Sequence, residues 1–184
     1  MHRRVLVAVV LVVSGFSVRT ASADDYKVDP LHTSVSFKVG HLGISWIHGR
    51  FNQVSGEFTV DGNNSSFGLK IKADSVDTGI AKRDGHLKSP DFFDVKQFPL
   101  ITFKSTAVKM IDDGYEVTGD LTMHGKTNSI TMKLTGGKTA NFGGQRIGFS
   151  TVLSLKRADY GMTRLAPAAG DEVRIDISME GTKK

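Results

Sequence analysis

The sequence predicts an all-β fold, a closed antiparallel up-and-down barrel of about eight strands with short helical segments around residues 77–97 at one end. Three observations carry this expectation. Period-two alternation of apolar and polar residues runs along most of the chain, polar turn clusters punctuate it, and a single stretch with helical character interrupts it. A short candidate at "YKVD" comes first. "TSVSFKVGH" then places Val35, Phe37 and Val39 on one face, with His41 following if the strand continues unbroken. "VSGEFTV" does the same with Val54, Phe58 and Val60, and "FGLKIKA" with Phe67, Leu69, Ile71 and Ala73. "ITFKSTAVKM", carrying Phe103, reads as a strand whose two faces separate less cleanly. "YEVTGDLTM", "SITMKL", "IGFSTVLSL" (Ile147, Phe149, Leu153, Leu155) and "EVRIDISME" complete about nine candidates.

Strands with one apolar face must bury it, in a sandwich or a barrel. Turns such as "DGNNSS", "DDG", "HGKTN" and "GGKTANFGG" give hairpin spacing throughout. A meander of that kind closes most simply into an up-and-down barrel, whose interior either fills with side chains or holds one small ligand.

The interruption is "DTGIAKRDGHLKSPDFFDVKQFP". Ser89-Pro90-Asp91 has the order of a helix start, with a capping hydroxyl, a proline at the first turn and an acid at the positive end of the dipole. Just before it, Ile80, Ala81 and Leu87 suit one or two further helical turns, although Gly85 weakens them. Leu87, Phe92, Phe93 and Phe98 need an apolar surface to cover, and the open end of a barrel supplies one. Gly79 and Gly85 offer places where such a lid could adjust its backbone.

Residues 1–23 read as a cleaved secretory signal peptide. Arg3 and Arg4 precede an apolar run from Val5 to Val13, and Ala21-Ser22-Ala23 has the small-x-small form of a cleavage site. The run falls short of the ~20 apolar residues of a spanning helix. Residues 24–184 then form a single domain with a sizeable core. The chain has no Cys. Export without cysteine suits a bacterial periplasm, with the core alone holding the fold. Three of the 24 Lys and Arg and none of the 19 acids lie in the leader, so the formal charge of +5 falls to about +2 on processing. The remaining cations are dispersed among acids, which argues against a nucleic-acid partner.

Candidate chemistry is sparse. Asp84, His86, Asp91 and Asp94 could serve as acids, bases or metal ligands, but no nucleophile motif or spaced ligand set accompanies them. Side chains of this kind also cap helix ends and tie loops to a rim. His32, His41 and His48 match no common zinc spacing, so neither metal nor cofactor is expected. Lys82, Arg83, Lys88 and Arg157 are the candidates for holding a polar or anionic headgroup, since a guanidinium fork matches phosphate; a solvated rim is the competing reading.

"VDPLHTSVSFKVGHLGIS", "GRFNQVSGEFTVD", "ADSVDTGIAKRDGHLKSPDFFDVKQFPLITFKST", "YEVTGDLTMHGKT" and "GFSTVLSLKRADYG" together resemble the YceI-like family of polyisoprenoid-binding periplasmic proteins, from about Tyr26 to Glu180. The resemblance implies a lipocalin-like barrel around an elongated apolar tunnel that takes a long-chain isoprenoid or other amphiphilic lipid. It implies no catalytic residues, and it makes a homodimer and a transient membrane contact conceivable. The expected ligand-binding set is Phe37, Val39, His41, Phe58, Phe67, Ile71, Arg83, His86, Phe92, Phe93, Phe103, Phe149, Leu153 and Arg157. Two other readings use the same residues: an enzyme acting on a lipid at the lid, and a protein-interaction module whose inward aromatics simply pack.

Overall fold

The computed structural model describes residues 23–184; apart from Ala23, the leader expected over residues 1–23 lies outside the described residues. Eleven strands form one sheet: β1 (Asp24–Val28), β2 (Ser34–His41), β3 (Ser45–Phe51), β4 (Val54–Val60), β5 (Ser66–Lys72), β6 (Val76–Asp77), β7 (Leu100–Ile111), β8 (Gly114–Met123), β9 (Lys126–Asn141), β10 (Gln145–Lys156) and β11 (Ala169–Lys183). A helix, α1 (Ala81–Leu87), lies between β6 and β7. Strands β4, β5 and β7 to β11 pair in order, and β1 joins β4 to β11, so these eight close an antiparallel ring. The long β11 serves two neighbours. Its C-terminal part pairs with β1 (Val28 opposite Gly181), and its N-terminal part pairs with β2 (Val39 opposite Val173), from which β3 and β6 continue the wall.

The meander is therefore right for most of the ring, while β1 closes it out of sequence order. Strand β3 is an addition to the expected set. Its inward positions are Ile47, Gly49 and Phe51, and the glycine blanks the middle of the apolar face. Gly49 sits opposite Phe37, and a Cβ there would lie 2.3 Å from Phe37 Cζ, so the end of the ring occupies the space a side chain would fill. The mixed faces of β7 come from a bulge: Ser105 opposes Gly119 but Ala107 opposes Thr118. One extra residue switches the inward set from Ile101 and Phe103 to Val108. "GGKTAN", expected in a turn, belongs to β9, which bends at a register shift opposite Gly148 and Phe149.

Helix α1 lies within the expected helical region, but the helix expected to start at Ser89 is a run of turns. The Ser89 hydroxyl donates to His86 O at 2.7 Å, and Ser89 O accepts from both Phe92 N and Asp94 N. Asp94 adopts φ 44, and its carbonyl receives Phe98 N. The Ser89 oxygen also accepts Asp91 N at 3.3 Å, as a cap would, but the left-handed Asp94 ends any helical run.

The interior divides into two halves. Tyr26, Phe58, Phe67, Tyr115 and Phe149 are all buried and interlock at one end, with centroids 5.2 Å apart for Tyr26–Phe58, 5.6 Å for Phe67–Phe149 and 5.7 Å for Phe67–Tyr115. Each such pair adds about 0.5–1.5 kcal/mol beyond the area it buries. Gly181 makes the packing possible, because a Cβ there would lie 2.3 Å from Phe58 Cζ. The other half, under α1 and the turns that follow it, is hollow.

A polar clasp ties the β1–β2 connection to the barrel. Arg146 Nη1 donates to Asp29 Oδ2 at 2.7 Å and to Glu180 Oε1 at 2.6 Å, and His32 Nδ1 lies 2.8 Å from the same Asp29 oxygen. The His32 hydrogen bond, then that from Arg146, holds the Asp29 carboxyl well below the usual carboxylate range.

Two outcomes follow. Phe67→Ala and Phe149→Ala should each cost about 3–5 kcal/mol in denaturant unfolding, while Phe37→Ala, at the edge of the hollow half, should cost well below that; equal losses would contradict the division. Folding depresses the Asp29 pKa, so its contribution is complete above about pH 4 and is lost as pH falls further. Asp29→Asn should flatten the decline of unfolding free energy below about pH 4, and an unchanged slope would refute the assignment.

Candidate functional site

The hollow half holds a cavity of about 240 Å³, well over ten times the ~10–15 Å³ that admits one water. Apolar side chains supply nearly all of its wall; the polar exceptions are Thr78, Arg83, His86 and Arg157. A dry, apolar hollow with few polar groups holds apolar chains in preference to water or ions.

The strands contribute Phe37 and Val39 from β2, Ile71 from β5, Phe103 from β7 and Leu153 from β10. Alternation brings them to one surface, and their rings lean on the wall: Phe37 meets Phe51 at a 5.6 Å centroid separation. The lid contributes Arg83, His86, Phe92 and Phe93. Phe93 meets Phe51 edge-on at 5.6 Å, so lid and barrel share a contact.

Four residues of the expected set stand elsewhere. Phe58, Phe67 and Phe149 belong to the aromatic cluster at the opposite end, beside a space of only about 40 Å³. Their period-two pattern gives the inward face but not the depth. His41 is off the cavity wall, at the end of β2 opposite Ser45 and Ala169, because the hairpin turns there. Ile47, Met162 and Leu165 line the cavity without having been singled out. Ile47 was readable from the alternation Ile47, Gly49, Phe51; the other two sit in a connection without periodicity.

Arg157 lines the cavity but its charge is already engaged. Its guanidinium is buried and donates to four backbone carbonyls: Nε to Gly170 O (2.8 Å), Nη1 to Met162 O (2.5 Å) and Arg164 O (2.8 Å), and Nη2 to Ala169 O (2.9 Å). It organises the 157–170 connection and is not a free anion receptor. Arg83 differs. Its Nε donates to Thr78 Oγ1 and its Nη2 to Thr78 O, both at 2.8 Å, while Thr78 N and Oγ1 donate to Asp84 Oδ1. Nη1 of Arg83 has no protein acceptor among the described residues. His86 Nε2 lies 2.9 Å from Asp91 Oδ2, and its ring stands edge-on to Phe92 at 5.0 Å. That hydrogen bond holds the Asp91 carboxyl below its ordinary range. Asp84 and Asp91 thus brace the lid.

The three histidines near the N-terminus are dispersed. His32 joins the Asp29 clasp, His41 ends β2, and His48 pairs with Lys38 on the outer face. Asp29, His32 and Glu180 bring potential ligand atoms within 4.8 Å, but the Arg146 guanidinium already bridges the two carboxylates.

Residues 26–181 match the YceI-like domain family. Over the full length of both chains the sequence is 39% identical to a UPF0312 protein of Pseudomonas aeruginosa strain LESB58, and over 91% of both chains it is 40% identical to a UPF0312 protein of Yersinia pestis strain Pestoides F. Among solved structures, Burkholderia cenocepacia BcnA superposes with a TM-score of 0.74 at 28% identity, covering 84% of this chain and 99% of that one. A polyisoprenoid binding domain from Saccharophagus degradans, implicated in plant cell wall breakdown, shares the fold with a TM-score of 0.70 at 21% identity, covering 86% of this chain and 98% of that one.

Replacing Arg157 by Leu should leave four carbonyls without their donor, at about 1–3 kcal/mol for the buried Met162 O and less for the three half-buried ones. The expected result is a large fall in melting temperature and faster hydrogen exchange across residues 161–169. An unchanged melting temperature would show that the guanidinium is dispensable.

Proposed function

This chain belongs to the YceI-like family, and from that premise we propose that it is a non-catalytic binding protein. Its ligand is one long-chain isoprenoid-type lipid, a quinone or a prenyl phosphate, held in the hollow half of the barrel. The observation that carries the reading is the cavity: a closed β-wall whose apolar side chains leave about 240 Å³ unfilled beneath a partly apolar lid. Each methylene moved there from water contributes about 0.8 kcal/mol, so a prenyl chain has ample driving force even after ordering costs.

Selectivity then rests with length and headgroup. The aromatic cluster stops the chain at the far end, and Arg83, held by Thr78 and Asp84, offers a guanidinium edge at the lid. The secretory leader expected over residues 1–23 supports an exported, periplasmic setting. A lid that admits a chain must move, and Gly79, at φ 76 just before α1, supplies the left-handed backbone for that junction.

Native mass spectrometry with organic extraction of the purified protein tests the reading. One prenyl lipid per chain is expected; a protein that is empty from lipid-replete cells and takes up none afterwards contradicts it. Leu153→Trp, filling the hollow, should abolish uptake with little loss of stability. Arg83→Gln should weaken prenyl phosphate by about tenfold, a charge-assisted bond's worth, and leave a neutral quinone unchanged; equal effects on both would remove Arg83 from the headgroup site.

A further inference from the structure

Apolar side chains that belong in a core stand in water around the cavity mouth. The β2–β3 turn carries Leu42 and Ile44, 57% and 83% exposed, and β3 begins with Trp46, 56% exposed. Leu165, 49% exposed, also lines the cavity, and its connection adjoins the turn through Leu42 N to Ala168 O at 2.8 Å. From Asp77, opposite Arg50, the chain continues alongside β3 toward the same end and carries exposed Ile80.

Backbone conformation sharpens the point. Leu42 and Leu165 have φ 54 and φ 63, a region where Gly, Asn or Asp fit and a leucine is costly. In the three-residue connection between β2 and β3, Leu42-Gly43 occupies the centre of the turn closed by Ile44 N to His41 O, both at positive φ, where Asn-Gly is the favoured pair. Both leucines thus sit at unfavourable backbone positions while about half exposed. Strain held at an exposed site directs attention to function.

Charge selects the occupant. Residues 38–50, "KVGHLGISWIHGR", hold Lys38, Arg50 and two histidines and no acid, with Arg50 opposite Asp77 on β6. Arg164 in residues 161–169 lies 3.6 Å from Asp91, and the next acids, Asp171 and Glu172, are engaged by Ala158 N and opposite Lys156, which leaves Lys38 as the cation beside the turn. Lys38 Nζ lies 4.7 Å from the Trp46 ring centroid, so a cation accompanies the aromatic. Apolar tips beside Lys38, with Trp46 at the boundary and no acid within residues 38–50, fit a bilayer interface with anionic headgroups.

We propose that the β2–β3 turn and the Leu165 connection form a membrane-docking edge that inserts Leu42 and Ile44 into an anionic lipid surface. The cavity mouth then faces the bilayer, and its lipid can cross without entering water. The inference rests on the lipid-binding reading for its purpose, but not for its test.

Trp46 is the chain's single tryptophan, which makes it an intrinsic reporter. Vesicles of phosphatidylglycerol and phosphatidylethanolamine should blue-shift its emission and carry the protein in flotation. Phosphatidylcholine vesicles should bind it less, and salt should weaken the anionic binding. Leu42→Asn combined with Ile44→Ser should reduce partitioning by about tenfold or more, while the melting temperature holds or rises because Asn suits the left-handed position. No spectral shift and no flotation, or equal binding by the double variant, would overturn the proposal. So would a shift that grows with protein concentration without vesicles, which would assign the edge to a second copy of the chain. Loading the double variant with a prenyl lipid from detergent separates the two readings: full uptake with lost docking places the fault or success with the edge alone, whereas docking by a protein that never holds lipid sinks the carrier reading and leaves the edge standing.

Discussion

The structure depends on how much an eight-stranded ring can hold. Such a ring encloses about one layer of side chains across its width, so large rings aimed at the axis fill it and rings laid along the wall leave it open. At one end Tyr26, Phe58, Phe67, Tyr115 and Phe149 meet across the axis and fill it. Toward the other, β2 and β3 replace β1 and β4 in the wall, the Phe37 ring packs over Gly49, and the aliphatic residues of β5 and β7 to β11 line the wall and leave the axis open. One sheet thereby supplies both a packed core for stability and an open apolar pocket.

The hollow survives because its edges are braced from outside. Arg157 gathers the carbonyls of Met162 and Arg164 in the connection after β10 and of Ala169 and Gly170 at the start of β11, which ties that connection to the strand. Thr78 and Asp84 hold Arg83, and Asp91 engages His86, so the lid's charged residues support its shape before any ligand arrives. Acids and bases that looked like candidate chemistry in the sequence are thus largely satisfied by their neighbours, as buried and half-buried polar groups must be.

Much of this was legible in the sequence because a strand writes its inward face at every second position. That pattern gave the barrel and placed Val39, Ile71, Phe103 and Leu153 correctly on the inner surface. It could not give depth along the axis, so Phe58, Phe67 and Phe149, which look the same as Phe103 in one dimension, were grouped with the cavity when they close its opposite end. Strand β3 escaped notice because Gly49 interrupts its apolar face, and the β7 bulge blurred a pattern that is regular on either side of it. The role of Arg157 was hidden for a different reason: its four acceptors are backbone atoms, which leave no trace in residue identity.

The central claim is that the unfilled half receives an apolar chain end to end. A crystal structure of the protein loaded with a long prenyl lipid tests it most directly. Continuous elongated density should run from beside Arg83, past Phe51 and Phe93, and stop against the Phe67 and Phe149 rings. Lipid density confined to the outer surface, with the cavity closed by movement of its own side chains, would contradict the account.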